Sequence, residues 1–440
     1  MSESILPPDA PSSSASDPTR PGWVDRFARR LLLERLARIQ HGKLTLVDGE
    51  AECNFGDTAG FPVQATIRVQ HPGFYRGAVF GGTVGAGEAY MADFWTADDL
   101  TALIRILVRN RAVLEAVDSA LTRLATWPVH RLFHALHRNT LRGSRVNISA
   151  HYDLGNDFYR LFLDDTLTYS CGIFDKPDCS LREASVAKYD RLCRKLGLRP
   201  EHHVLEIGTG WGGFALHAAS NYGCRITTTT LSNEQHKLAA ERIKDAGLSD
   251  RVELLRADYR DLTGTFDRVV SIEMIEAVGH RYLPTFFRCC AERLKPEGMM
   301  ALQAITILDQ VFYSHVREVD FIKRYIFPGS CIPSVEAMLR ATTRATDLKL
   351  FHLEDITPHY ATTLRLWRER FFARLDEVRA QGFNDAFIRM WDFYLSYCEA
   401  GFAERYIGDV QMVFTKPLCR AAPIVPPLAA APVEGGDDGV

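Results

Sequence analysis

The residues best able to hold a cofactor lie in one short run, VLEIGTGWGG, which leads into the segment GFALHAASNYG. The apolar start reads as a strand, and the glycines read as a turn that opens a helix. Gly208, Gly210 and Gly212 let the backbone bend sharply and come close to a ligand, and the helix start offers it free N–H groups. Gly208, Gly210 and Gly213 also satisfy G-x-G-x-x-G, so a nicotinamide dinucleotide is one reading. That reading needs an acid about 20 residues further on, at the end of the second strand, to take the ribose hydroxyls. The second strand instead ends in Thr228, Thr229, Thr230, Leu231 and Ser232. Acids stand elsewhere, with Glu206 inside the first strand and Asp258 closing the third in RADYRDL, so the dehydrogenase reading gives way.

Metal and thiol chemistry find little support. His130, His134 and His137 share a helical face in HRLFHALH, but no acid or cysteine stands near them, and no metal is expected. Ten cysteines are scattered without a C-x-x-C pair, which argues against a zinc site or a disulfide framework and for a reducing compartment.

The pattern E-x-G-x-G-x-G with a later Asp is similar to a class I methyltransferase site, in which the third-strand Asp reaches the adenine amino group. Six segments in order carry a closer resemblance: HYDLGNDFYRLFLDDTLTYSCGIF from His151, LEIGTGWGGFALHAA, TTLSNEQ, SIEMIEAVGHRYLPTFF from Ser271, RYIFPGSCIPS and HYATTLRLWRERF. Together they resemble the cyclopropane fatty acyl phospholipid synthases and the related mycolic acid cyclopropane synthases, over about residues 145 to 417. The resemblance implies that Tyr169, Ser170, Gly208, Gly210, Gly212, Thr230, Leu231, Gln235, Asp258 and Tyr259 form the S-adenosylmethionine site. It implies that Cys171, Glu276 and Tyr360 surround a bound bicarbonate, with the backbone of Ile305 facing the same ion. Two residues depart from the family pattern, Ala277 after the Glu of the fourth-strand motif and Gln303 where a His is usual. Glutamine donates a hydrogen bond but does not titrate near neutral pH, which puts the proton path in question.

The implied reaction sets a methyl group on a cis double bond of a phospholipid acyl chain and removes a proton so that a cyclopropane ring closes. An isolated alkene is a poor nucleophile, so alignment is the main lever, and a modest base must stand beside an apolar slot. Aromatic side chains from Phe158 to Phe174 and from Phe321 to Phe327 are candidate walls for that slot. The alternatives are a methylene or methyl-branched product, a small-molecule N-methyltransferase, and a lipid carrier without catalysis.

The elements that must position these residues follow from the pattern. HVLEIGTG, CRITTTTLS, RVELLRADY, FDRVVSIEM, GMMALQAITI and GDVQMVFTKP read as strands separated by helices. The expected fold class is α/β, a Rossmann-like class I methyltransferase fold with a mainly parallel doubly wound sheet, plus a smaller N-terminal α+β domain. The expected domains are a disordered arm (1–22), a lipid-positioning or assembly domain (23–144), the catalytic domain (145–420) and a disordered tail (421–440). In the N-terminal domain, LTLVDG and QATIRV predict strands, the Gly-rich run AVFGGTVGAGEAYMADFW predicts tight turns, and a long helix follows with Asp98 or Thr96 as its N-cap. The segment 309–334 is long for a connection and reads as a lid whose Lys323 and Arg324 could meet lipid phosphate.

Composition bounds the partners. An apolar share of 46%, a charged share of 24% and a net charge of −3 fit a globular protein with no electrostatic case for nucleic acid. No apolar leader or spanning run is evident, and WVDRFARRLLLERLARIQHG predicts an Arg-rich amphipathic helix suited to anionic lipid. The expected location is cytoplasmic, at the inner face of the membrane, and the apolar first domain is compatible with a homodimer.

Overall fold

The computed structural model describes residues 22–115 and 154–425. The histidines at 130, 134 and 137, the expected boundary near residue 144 and both outermost chain ends fall outside them. The chain divides into two compact units. One takes the described residues up to 115 together with Arg317–Pro328 and Leu364–Tyr406, and the other takes the remainder. This division is not contiguous in sequence, which a linear boundary near residue 144 does not express.

The second unit is built on a seven-stranded sheet, from β5 (His203–Ile207), β6 (Arg225–Thr229), β7 (Val252–Leu255), β8 (Phe266–Ile272), β9 (Leu294–Ile307), β10 (Lys349–Asp355) and β11 (Ile407–Thr415). Its order is β10-β11-β9-β8-β5-β6-β7. The pairs joining β5 to β9 are parallel, and β11 runs antiparallel to both of its neighbours. This is the expected Rossmann-like methyltransferase sheet. Central strands such as β5 are buried on both faces, which is why they read as unbroken apolar runs. Helix Leu181–Lys195 starts at Ser180, whose hydroxyl caps Glu183 N–H while Glu183 reaches back to Ser180 N–H. Its Leu192 packs with Val204, Phe214, Ile226 and Val270 into the core that carries the sheet. Burying each such side chain contributes roughly 1.5–3 kcal/mol. Strand β10 has no counterpart in the expected list, because it lies at the sheet edge with mixed burial and no apolar run.

The first unit holds a four-stranded sheet, β1 (Lys43–Asp48), β2 (Ala51–Phe55), β3 (Gln64–Val69) and β4 (Trp95–Ala97), with helices including Trp23–Leu36, Leu100–Arg109 and Asp385–Ala403. This is the expected smaller α+β unit. The Gly-rich run does not form turns between strands. It forms two helices, Gly73–Phe80 and Gly82–Met91, and the glycines serve close approach, since a Cβ on Gly85 would lie 2.4 Å from the Gly77 carbonyl oxygen. The following helix is capped by Asp99, which accepts from Ala102 N–H at 2.8 Å, while Asp98 accepts from Thr66 N–H. Asp392 ties this unit together, accepting from Tyr90 at 2.6 Å and from Arg368 at 2.6 Å.

Lys323 cannot meet lipid phosphate, because it is buried and its ammonium donates to the Glu318 carbonyl at 3.0 Å. Arg324 lies 3.2 Å from Glu88.

Candidate active site

The cofactor turn leaves the C-terminal end of β5, where ligands of open parallel sheets usually bind. Gly208 has φ +102°, a backbone that only glycine takes without strain, and a Cβ there would also lie 3.1 Å from Met274. The turn is pinned by the Thr229 carbonyl, which accepts from Gly208 N–H at 3.1 Å and from Thr209 N–H at 3.0 Å. The helix Gly213–Tyr222 then begins at Gly212.

A cavity opens over the ends of β5, β6 and β8. Of the expected cofactor residues, Tyr169, Ser170, Gly208, Gly210, Thr230, Leu231, Gln235 and Tyr259 line it. Thr230 and Gln235 are joined by a 2.8 Å hydrogen bond, which orients both side chains. Gly212 and Asp258 do not line it. Asp258 is buried with its carboxylate on Arg260 at 2.7 Å, and it caps the short helical turn that carries Tyr259. Of the aromatic candidates, Tyr169 lines the cavity, whereas Phe158 and Phe162 pack edge-on to each other in the core.

The residues expected around bicarbonate also come together, but around a side chain. Glu273, in the left-handed region directly after β8, lines the cavity. Its Oε1 accepts from Cys171 N–H at 2.9 Å and from the Gln303 amide at 2.7 Å, and its Oε2 accepts from the Tyr360 hydroxyl at 2.6 Å. The fourth expected donor, Ile305 N–H, goes to Glu276 Oε1 at 2.6 Å. Cys171 N–H and Tyr360, with Gln303 beside them, are therefore spent on Glu273, and Ile305 N–H on Glu276, so the residues present do not fit a separate ion in that cradle.

Around Glu273 stand further ionisable groups with few charged partners. Asp409 is fully buried, and burial followed by the nearby Glu273 pushes it well above the usual carboxylate range. Burial, then Glu273, pushes Glu276 up to about 8, and its Oε2 has no hydrogen-bond partner among the described residues. Burial, then Asp409 and Glu273, push the Cys171 thiol well up, so it stays protonated and is no nucleophile. Lys188 is the buried cation of the group, donating to Ser170 Oγ at 2.6 Å. Glu206 also lines the cavity, and burial pushes it up to about 8 despite a 2.5 Å hydrogen bond from Thr228.

The raised acids carry a stability consequence. Between the ordinary value of 4.5 and about 8, the folded protein keeps protons on Glu206 and Glu276 that the unfolded chain has released. Stability therefore falls as pH rises through that window. A Glu206→Gln, Glu276→Gln double variant should show a flatter decline of melting temperature over the same range, and an equally steep decline would contradict this assignment.

Sequence reasoning missed Glu273, Asp409 and Lys188, and it left Glu206 without a role. The available signal for Glu273 was a second acid in SIEMIEAVG, three residues before the one that matched the family pattern.

Comparison with known proteins gives the family. Residues 139–412 match the family model described as mycolic acid cyclopropane synthetase. The chain is 41% identical over 340 residues to the tuberculostearic acid methyltransferase of Mycobacterium tuberculosis, covering 75% of this chain and 78% of that protein. It is 35% identical over 356 residues to the cyclopropane-fatty-acyl-phospholipid synthase of Escherichia coli K12, covering 80% and 88%. A crystal structure of a mycolic acid cyclopropane synthase complexed with SAH and CTAB superposes with a TM-score of 0.58 at 32% identity, covering 62% of this chain and 98% of that one. With its glycine turn, its methyltransferase sheet and these relatives, the chain belongs to the mycolic acid cyclopropane synthetase family, and it is an S-adenosylmethionine-dependent methyltransferase.

Proposed function

We propose that the protein adds a methyl-derived carbon to the cis double bond of an unsaturated phospholipid acyl chain, with Glu273 in the place the family gives to bicarbonate. The observation that carries this reading is the Glu273 carboxylate, held at the cavity wall by Cys171 N–H, Gln303 and Tyr360. S-adenosylmethionine, when bound, supplies an electrophilic methyl group on a sulfonium. The glycine turn, Thr230, Gln235 and Tyr169 hold it against the alkene. The alkene π electrons would form the new C–C bond as the methyl–sulfur bond breaks, so that S-adenosylhomocysteine leaves as a neutral thioether and a cation remains on the neighbouring carbon. Glu273 then takes one proton from the added methyl group, and the released C–H pair closes onto the cationic carbon as a cyclopropane ring. The three donors fix the accepting oxygens and keep them from attacking the cation themselves.

A second product has its own support in the similarity to a tuberculostearic acid methyltransferase. If a hydride shifts first, so that the cation sits on the methylated carbon, the same proton loss gives a methylene branch. Incubation with labelled S-adenosylmethionine and vesicles of dioleoyl phospholipid, followed by proton NMR of the acyl chains, separates ring from methylene. Turnover of soluble amines with none on lipid would overturn both.

The first unit serves to position lipid in this reading. Helix Trp23–Leu36 leaves Trp23 74% and Phe27 51% exposed, one helical turn apart, among several arginines. Such a face suits the surface of an anionic membrane. A Trp23→Ala, Phe27→Ala pair should weaken binding to anionic vesicles by roughly tenfold or more, from the apolar area lost, and added salt should weaken the parent protein's binding. Co-sedimentation unaffected by both changes would count against this helix as the contact.

A further inference from the structure

One row of hydrogen bonds runs from the cavity wall away from the cofactor turn. Gln303 on β9 and Gln411 on β11 are direct cross-strand partners, and both are fully buried. The Gln411 amide N–H donates to Gln303 Oε1 at 2.9 Å, and Gln303 donates to Glu273 Oε1 at 2.7 Å. At the far end, Lys195, on the last turn of helix Leu181–Lys195, donates to Gln411 Oε1 at 2.8 Å and to Glu354 Oε2 at 2.5 Å. Arg191 also pairs with Glu354.

The two ends of this row fix its direction. An ammonium only donates, and a carboxylate only accepts. Gln411 must therefore turn its oxygen to Lys195 and its N–H to Gln303, and Gln303 must turn its N–H to Glu273. Reversing either amide would set N–H against ammonium, or oxygen against carboxylate, in a dry interior. The anchor is itself held. Burial works against the Glu354 carboxylate, but Arg191 and Lys195 keep it down at about 2, and the ionised Glu354 favours the ammonium of Lys195 against the lowering effect of burial.

We propose that Lys195 and Gln411 are positioning residues for the proton transfer, forming with Gln303 a one-way row of donors that holds Glu273 Oε1, although neither Lys195 nor Gln411 lines the cofactor cavity. This rests on Glu273 as the proton acceptor. The row matters because Glu273 faces Asp409 from β11 and Glu276 from its own turn, two buried acids that its charge helps to push up, so donors must come from elsewhere. Lys188 from the helix, the Tyr360 hydroxyl and Cys171 N–H stand on the favourable side. If Gln303 turned over, its oxygen would join the acids.

The test uses full-length Lys195→Met, Gln411→Glu and Lys195→Arg proteins beside Glu273→Gln. Gln411→Glu keeps the size of the side chain and its bond to Lys195, but it removes the N–H that orients Gln303, so it decides the matter if Lys195→Met melts low. The readouts are S-adenosylhomocysteine binding by calorimetry and kcat against pH on dioleoylphosphatidylglycerol vesicles. We expect Lys195→Met and Gln411→Glu to bind S-adenosylhomocysteine normally and to lose about tenfold in kcat at neutral pH. The acid limb of the profile should move up by about one pH unit, because an anion with fewer donors holds its proton more tightly. The deficit should shrink as pH rises, and Lys195→Arg should recover most of it. An unmoved profile in both variants, or a loss uniform across pH that tracks a loss of cofactor binding, overturns the proposal. Full activity in Glu273→Gln would instead overturn the assignment of the base, whereas an inactive Glu273→Gln beside unaffected Lys195→Met and Gln411→Glu refutes this row alone.

Discussion

Glu273→Gln is expected to lower kcat by about 10³-fold while leaving S-adenosylhomocysteine affinity nearly unchanged. The amide has the size of the carboxylate but accepts no proton near neutral pH. It also presents an N–H to a cradle made of donors, Cys171 N–H, the Gln303 amide and the Tyr360 hydroxyl. Glu276→Gln should behave differently. Glu276 accepts Ile305 N–H, a bond that an amide oxygen can keep, and its raised value already favours the neutral acid. A loss below about tenfold is expected there, the size of a modest positioning effect. Initial rates of methyl transfer to vesicles for the two variants, side by side, decide which acid takes the proton. Equal rates, or a larger loss in Glu276→Gln, would return the role to Glu276.

Gly208→Val should remove cofactor binding, weakening S-adenosylhomocysteine by about 100-fold or more in calorimetry. A β-branched residue at φ +102° is strained by about 1–3 kcal/mol. Its Cβ also meets Met274 at 3.1 Å. The chain relieves both by moving the turn off the Thr229 carbonyl, and that movement carries the neighbouring Thr209 and Gly210 with it. Gly210→Ala is the matched comparison. Gly210 has φ +53° and no atom of the described residues within 4 Å of an added Cβ, so alanine there should cost far less than valine at 208. If Gly208→Val binds like the parent, the turn is not what holds the cofactor.

Much of this was legible in the sequence, for physical reasons. Buried strands are apolar or β-branched runs whichever way they pair, so β5 to β9 and β11 announced themselves, and the glycine turn after β5 located the cavity. Glycine is ambiguous elsewhere, because it serves sharp turns and close helix contacts equally. Gly77 and Gly85 do the latter, and the run around them was misread as turns. Strand β10 carries an edge pattern, Lys-Leu-Phe-His-Leu-Glu-Asp, that offers no buried run to recognise. Glu273 was hidden by Glu276, whose place in the motif drew the attention. Which acid reaches Tyr360 depends on the left-handed turn after β8, and no residue type signals that turn. The link from Lys195 to Gln303 depends on β9 and β11 pairing in one register, Gln411 opposite Gln303, across more than a hundred residues.

The non-contiguous make-up of the two units bears on how the protein is made. Helix Asp385–Ala403 supplies Asp392 to Tyr90, and β11 lies between β9 and β10, so each unit waits for residues near the end of the chain. Neither can finish on the ribosome in the usual front-to-back order. Until about residue 385 has been made both units expose apolar surface, and residues 385–415 complete them almost together. Slow elongation in the second half of the message, or early termination after about residue 360, would therefore yield two unfinished bodies rather than one good unit with a ragged tail.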